Sequence, residues 1–262
     1  MTRVHPVAAA GFAQAADAYE RARPSYPEEA VAWMADRCTL GAGSTVVDVG
    51  AGTGKLTRLL PPTGATVVAI EPIAEMRAKI DGLGLEALDG TAESLPLADG
   101  VADVITVAQA FHWFDHDRAL PELHRVLRQG GFLVLFWNNR DLSDPVQAAV
   151  EELLAPRRAT VTSQLGGTWR DPLERSPLFG TPETREFPYV QQFTTDDLCD
   201  RVSSTSFVAA MPEREREALL ERVRRLTQGL EEPFPIRYRT EVHVVPRTSD
   251  RDDLQRGTSI EG

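Results

Sequence analysis

The chain has 262 residues, of which 42% are hydrophobic and 26% charged, enough apolar material for a full α/β domain and too little polar bias for wholesale disorder. Its formal net charge of −11, from 28 basic and 39 acidic residues, repels nucleic acid and anionic lipid at long range and points away from both as partners. No apolar run approaches the ~20 residues of a membrane span, Asp17 and Glu20 follow the N-terminal alanines too soon for a signal peptide, and Cys38 and Cys199 show neither metal spacing nor a disulfide framework, so a cytoplasmic protein with buried free thiols and no metal is expected.

In chain order, Pro24 and Pro27 interrupt an N-terminal helical arm (1–43), and "EEAVAWMADR" reads as a helix starting after Pro27. The β-branched run 44–50 is a buried strand, and a helix from about Gly54 to Leu60 follows, stopped by Pro61 and Pro62. Residues 65–71 form a second strand, "IAEMRAKIDG" a helix, 84–90 a weak third strand and 101–109 a fourth. "DHDRALPELHRVLRQGG" is a helix with Asp115 as N-cap, an apolar stripe of Leu120, Leu123, Val126 and Leu127, and Gly130 and Gly131 as its stop; 132–138 is a fifth strand. This alternation predicts a doubly wound, mostly parallel sheet. Beyond the core (44–140), "DPVQAAVEELLAP" is helical and 156–182 reads as loop within a lid segment (141–184). Two further strands, "TREFPYVQQF" and "TEVHVVP", flank the charged helix "PEREREALLERVRRL" within 185–247; the whole of 1–247 is one domain and 248–262 a polar tail.

The chemistry concentrates in "VVDVGAGTGK" (46–55). A nucleoside-triphosphate phosphate loop needs four residues between its glycines, whereas Gly50 and Gly54 enclose three and Leu56 follows Lys55, so that reading is rejected and Lys55 is an exposed helix residue. A dinucleotide fold wants glycines at positions one, three and six; here they stand at one, three and five, although Glu71 lies where an acid would hold ribose hydroxyls. S-adenosylmethionine suits the turn better. Gly50 and Gly52 let backbone approach its methionine tail without Cβ collision, and Asp48 supplies negative charge for its cationic end.

With Leu56 and Thr57 added, the stretch resembles the first motif of class I methyltransferases, and the resemblance extends over 44–140. It implies a seven-stranded Rossmann-like fold and a cofactor site made by Asp48, Gly50, Ala51, Gly52, Gly54, the ribose acid Glu71 with Pro72, and an adenine segment at Thr91, Ala92 and Glu93. The family usually has Asp at Thr91, so backbone at Ala92, or Glu93, would take over the adenine amino contact. "VAQAFHWFD" (107–115) resembles the motif beside the methionine end, including Gln109 and Ala110, and "RVLRQGGFLVLFWN" the helix–Gly–Gly–strand passage after it, with Gln129 for the usual Pro. "YERARPSYP" is similar to the arm of type 11 methyltransferases near the trans-aconitate methyltransferase group, in which Tyr19 and Arg23 would close over the cofactor.

Methyl transfer needs alignment and water exclusion, and a base only where the acceptor must lose a proton. His112, after the fourth strand, is the base candidate; His116 faces solvent, and His5, His124 and His243 have no supporting neighbours. Trp113, Trp137, Asn138, Asn139, Arg140 and, in the lid, Trp169 rim the same edge for substrate, and Arg140 or Arg170 either clamps an acidic acceptor or makes a structural ion pair. The amino-methylase signature Asn/Asp-Pro-Pro-aromatic is replaced by "QAFHWF", and no paired-glutamate loop appears, so the acceptor is a small molecule: an O-, C- or N-nucleophile or a carboxylate, taken by a monomer or homodimer. The alternatives are an NAD(P)-binding oxidoreductase and a non-catalytic cofactor-binding scaffold.

Overall fold

The computed structural model describes residues 23–162 and 169–249; Tyr19 and His5 in the arm, 163–168 in the lid segment, and the tail from 250 lie outside them. Helix α1 (Glu28–Arg37) begins after Pro27, carries Glu28 and Glu29 in its first turn, where the helix dipole favours acids, and buries Ala30, Val31 and Met34. Strands β1 (Thr45–Val49), β2 (Thr66–Ile70), β3 (Glu86–Leu88) and β4 (Ala102–Ala108) fall inside the predicted segments, with α2 (Ala74–Asp81) between β2 and β3. After α3 (His116–Val126) come β5 (Leu127–Arg140), α4 (Pro145–Thr162), α5 (Arg170–Arg175) and β6 (Glu183–Phe193). Helices α6 (Thr195–Ser203), α7 (Ser206–Ala209) and α8 (Glu213–Leu226) and strand β7 (Phe234–Pro246) complete the described chain.

The seven strands form one sheet in the order β3-β2-β1-β4-β5-β7-β6. The pairs among β1 to β5 are parallel, and β7 runs antiparallel to both β5 and β6. Order reverses between β1 and β4, so the crevice at their carboxyl ends is the natural ligand position in such a sheet. Alternation explains the uninterrupted apolar runs: Val47, Ile105, Leu133 and Leu135 pack on one face with α3, while Val46, Val104, Val134 and Phe136 pack on the other with α1. A third core joins α4, α6 and α8 to the outer ends of β6 and β7. No helix among the described residues is long and apolar enough to cross a membrane. Cys38 and Cys199 are buried free thiols.

Several elements depart from the prediction. The helix expected from Gly54 is a turn followed by single 3-10 turns at Thr57–Leu59 and Pro61–Thr63; Gly54 has φ +81°, and too few residues remain before the prolines for α-helical pairing. The stop of α3 is at Val126, not at the glycines, because Leu127 already pairs with Ala102. Gly130 and Gly131 instead form the irregularity before Phe132 resumes pairing with Val104: Gly130 has φ +73°, and a Cβ on Gly131 would lie 2.9 Å from the Asp103 carbonyl. Helix α4 continues through Pro156 and α5 forms within 156–182, where a loop was expected, and α6 and α7 were not foreseen.

Candidate active site

A cleft opens at the carboxyl ends of β1, β4 and β5, lined by the glycine turn, Gln109, Asn138, the arm at Arg23 and Tyr26, and Arg201 of α6. Its floor is backbone. The Gly50 and Ala51 amides both donate to the Ile70 carbonyl (2.9 and 3.2 Å), which ties the turn to the end of β2. Gly50, Gly52 and Gly54 have φ of +69°, +59° and +81°, where a side chain is strained. Their surroundings differ. A Cβ on Gly50 would lie 2.9 Å from Ala110 Cβ and one on Gly54 3.0 Å from Ile80 Cγ1, whereas nothing lies within 4 Å of one on Gly52. Gly50 and Gly54 are therefore packing glycines, and the bare backbone offered to a ligand is at Gly52.

The two acids divide their labour. Asp48 is fully buried beneath the turn, its carboxylate accepting from the Thr57 hydroxyl (2.6 Å) and the Thr106 hydroxyl (2.8 Å). Burial pushes its carboxyl up to about 6, and the two hydroxyls oppose the rise. It does not reach the cleft surface, so its expected direct approach to a ligand gives way to positioning of the turn and to its buried charge. Glu71, 4% exposed, accepts from the Gly52 amide at Oε2 (2.8 Å) and from the Ile73 amide at Oε1 (2.9 Å), past half-buried Pro72. Burial raises its carboxyl and these amides lower it; Arg77 braces the segment by donating to the Glu71 carbonyl (2.7 Å). Each Glu71 oxygen retains a lone pair for a further donor.

In the adenine segment, Thr91 and Ser94 exchange backbone hydrogen bonds and Ala92 is buried. Glu93 Oε1 is taken by the Asp115 amide (2.9 Å), which removes it as the substitute expected there. The buried Thr91 hydroxyl has no hydrogen-bond partner, nor has that of Thr53 on the cleft wall. Gln109, a non-glycine at φ +57°, is held by its amide donating to the Asn138 carbonyl (3.2 Å), an arrangement that costs of order 1 kcal/mol. Asn138 in turn donates to the Ser25 carbonyl (2.9 Å) and accepts from Thr240 (2.6 Å), which joins the arm to β5 and β7. Lys55 is half-buried in the cleft wall, not an exposed helix residue.

His112 keeps solvent access, but its ring is crowded by Trp113 (4.6 Å) and Trp137 (5.5 Å). That desolvation, with the charges of Arg23 and His116, pushes its imidazole down to about 4, so it is neutral at pH 7. Trp137 stacks on Trp169 (5.2 Å), whose ring meets that of His243 (4.9 Å). The predicted rim aromatics thus form one file, set beside the cleft and not in its lining. The histidines corrected by the structure are His116, half-buried with Nε2 3.0 Å from the Phe111 carbonyl; His124, buried against Phe179; and His243, buried between Thr184 (2.7 Å) and Glu241 (3.2 Å). Arg140 pairs with Glu151 (2.8 Å) and Arg170 with Glu241 (3.3 Å), and Asn139 also donates to Glu241, so these are structural contacts. The lining residues that sequence reasoning missed include Tyr26, Thr53, Lys55 and Arg201, and Arg201 alone carried a readable signal. Its signal was the Thr194-x-x-Asp197 capping box followed by Leu198 and Val202, which marks a helix.

A methyltransferase-domain family model matches residues 47–135, from β1 through most of β5. Proteins named as uncharacterized methyltransferases of Mycobacterium bovis and Mycobacterium tuberculosis are 41% identical over 219 residues, 82% of this chain and 84% of theirs. A methyltransferase-like protein of Schizosaccharomyces pombe is 33% identical over 204 residues, 76% of this chain and 78% of its own. Among solved structures, one from Anaeromyxobacter dehalogenans, named as a type II methyltransferase, aligns with a TM-score of 0.64 at 24% identity over 85% of this chain and 97% of that one, a likeness of fold. With its glycine turn, its acids and its sheet order in the matched span, the chain belongs to the class I S-adenosylmethionine-dependent methyltransferases of type 11.

Proposed function

We propose that the enzyme seats S-adenosylmethionine on the Gly52 backbone and Glu71 and transfers its methyl group to a small-molecule acceptor approaching from the side of the arm and α6. The observation that carries this reading is the Glu71 carboxylate, buried against the Gly52 turn that lines the cleft and fixed by the Gly52 and Ile73 amides, with a lone pair left on each oxygen for the paired hydroxyls of a ribose. The unpartnered Thr53 and Thr91 hydroxyls and the open space over Gly52 fit the same ligand. When bound, the donor presents an electrophilic methyl carbon on a sulfonium that departs as a neutral thioether. The chain's own part is alignment and exclusion of water: Gln109 and Asn138 fix the wall, and Arg23 closes the mouth by donating to the Ser204 carbonyl (3.0 Å). His112, neutral at pH 7, accepts a hydrogen bond from the acceptor.

The test is calorimetry with S-adenosylhomocysteine. Wild type binds it, and Glu71→Gln, which keeps size but turns one oxygen into a donor, loses about tenfold or more in affinity, roughly 1.4 kcal/mol, with an unchanged circular dichroism spectrum. Binding of NADH in its place, or equal affinities in the two proteins, overturns the reading.

A further inference from the structure

Helix α6 brings to the cleft a cation that the donor site does not use. Arg201, in its last turn, lines the same cavity as Gly50, Gly52 and Gln109. The helix is held firmly: Thr194 and Asp197 close a capping box at its start, and Leu198, Cys199 and Val202 are buried in the third core. Six of the other seven half-buried arginines among the described residues spend their guanidinium on a carboxylate or a carbonyl; the seventh, Arg216 of α8, does not line the cleft. Arg23 donates to Ser204, Arg58 to Thr53 and Gly54, Arg77 to Glu71, Arg125 to Glu122 and Asp99, Arg140 to Glu151, and Arg247 to His124. Arg201 has no such partner among the described residues; its Nε is buried with no hydrogen bond, and no carboxylate of the described residues is paired with it. In a chain with 39 acidic residues against 28 basic ones, carboxylates to pair with it were in ample supply. Desolvating a guanidinium without a partner is unfavourable, and such a group in a cleft marks the place where an anion is taken up.

We propose that Arg201 docks an oxyanion of the methyl acceptor, so that the substrate is a small molecule carrying a carboxylate or a phosphate. This rests on the transferase reading above. The planar Nε–Nη edge offers two parallel donors that match either group. The assignment is to the acceptor and not the donor because α6 lies outside the β1–β5 span that builds the floor, on a helix packed against the third core. Arg23, whose Nη2 donates to the carbonyl of Ser204 just beyond α6, brings a second guanidinium to the same mouth.

The experiment uses the full chain, methyl-labelled S-adenosylmethionine and a deproteinised small-molecule cell extract. Passing the extract over a strong anion exchanger should remove methyl acceptance, and the salt eluate should restore it. Arg201→Gln should raise the apparent KM for the eluate about tenfold, equivalent to about 1.4 kcal/mol, while S-adenosylhomocysteine affinity and Tm hold; Arg201→Lys should recover part. Loss of acceptance after phosphatase treatment of the eluate assigns a phosphate, and its persistence a carboxylate. Acceptance that stays in the flow-through, an unchanged KM, or a fall in S-adenosylhomocysteine affinity matching the KM rise overturns the inference. An extract that accepts no methyl while S-adenosylhomocysteine still binds overturns the transferase reading, and this inference with it.

Discussion

A carboxylate sealed from water beneath a turn costs the fold something at neutral pH, and Asp48 is such a group. Its folded value of about 6 lies above the ordinary 3.8, so it favours folding most below pH about 4, and that contribution is lost as pH rises through 6. The difference amounts to about 3 kcal/mol. Asp48→Asn keeps the shape and can still engage Thr57 and Thr106, one as acceptor and one as donor. Urea unfolding of both proteins at pH 5 and pH 8 should therefore show wild type losing stability relative to the variant at the higher pH; parallel profiles would remove the buried-anion account. The buried charge also gives the cleft floor a negative potential without a carboxylate on its surface. Sequence made Asp48 and Glu71 visible because they flank the glycines. It could not show what holds them, since Thr106 stands 58 residues from Asp48 and the Gly52 amide 19 from Glu71. Arg140 and Arg170 were offered as clamps and Arg201 was overlooked for the same reason: only the fold reveals which arginine has a carboxylate beside it.

Elements were legible where local pattern and tertiary setting agree. The β-branched runs of β1, β2 and β4 lie between two apolar layers, so pattern alone suffices. They were misread where a distant neighbour decides. Leu127 becomes a strand residue by pairing with Ala102, and Gly131 sits against the Asp103 carbonyl, neither of which the helical periodicity before it announces. Helix α6 is short and depends on its cap. Asp197 Oδ2 accepts from the Thr194 amide (2.9 Å), and the Thr194 hydroxyl accepts from the Asp197 amide (3.1 Å). Thr194→Ala should cost about 1 kcal/mol, or roughly 2–4 °C in Tm, read by calorimetry. S-adenosylhomocysteine affinity should be unchanged, because the floor comes from β1 and β2. A variant that instead loses that affinity would tie α6 to the donor and not to the acceptor.

At the scale of the molecule, the question is whether the third core, built on α4, α6 and α8, melts apart from the sheet that carries the cleft. Strand β7 argues that it does not. Its first half supplies Phe234, Ile236 and Tyr238 to the third core, while its second half supplies Val242 and Val244 to the α1 side of the sheet and Val245 to the α3 side. β7 also pairs with β5 from Phe132 to Arg140 and with β6 along its whole length. Unravelling the third core would expose the apolar half of a strand whose other half is locked in the central sheet, so the cost of partial opening approaches that of global unfolding. Calorimetry should accordingly give one transition. S-adenosylhomocysteine at a hundred times its Kd adds about 2.7 kcal/mol to the folded state, which for a domain of this size moves Tm by roughly 5–10 °C. Because the unit is cooperative, the whole endotherm should move together, although the ligand touches one edge of one sheet. Two transitions, with the earlier one unmoved by ligand, would mean that the Arg201-bearing layer is an independently folding cap, and the cleft would then owe its second wall to a docking equilibrium and not to the fold itself.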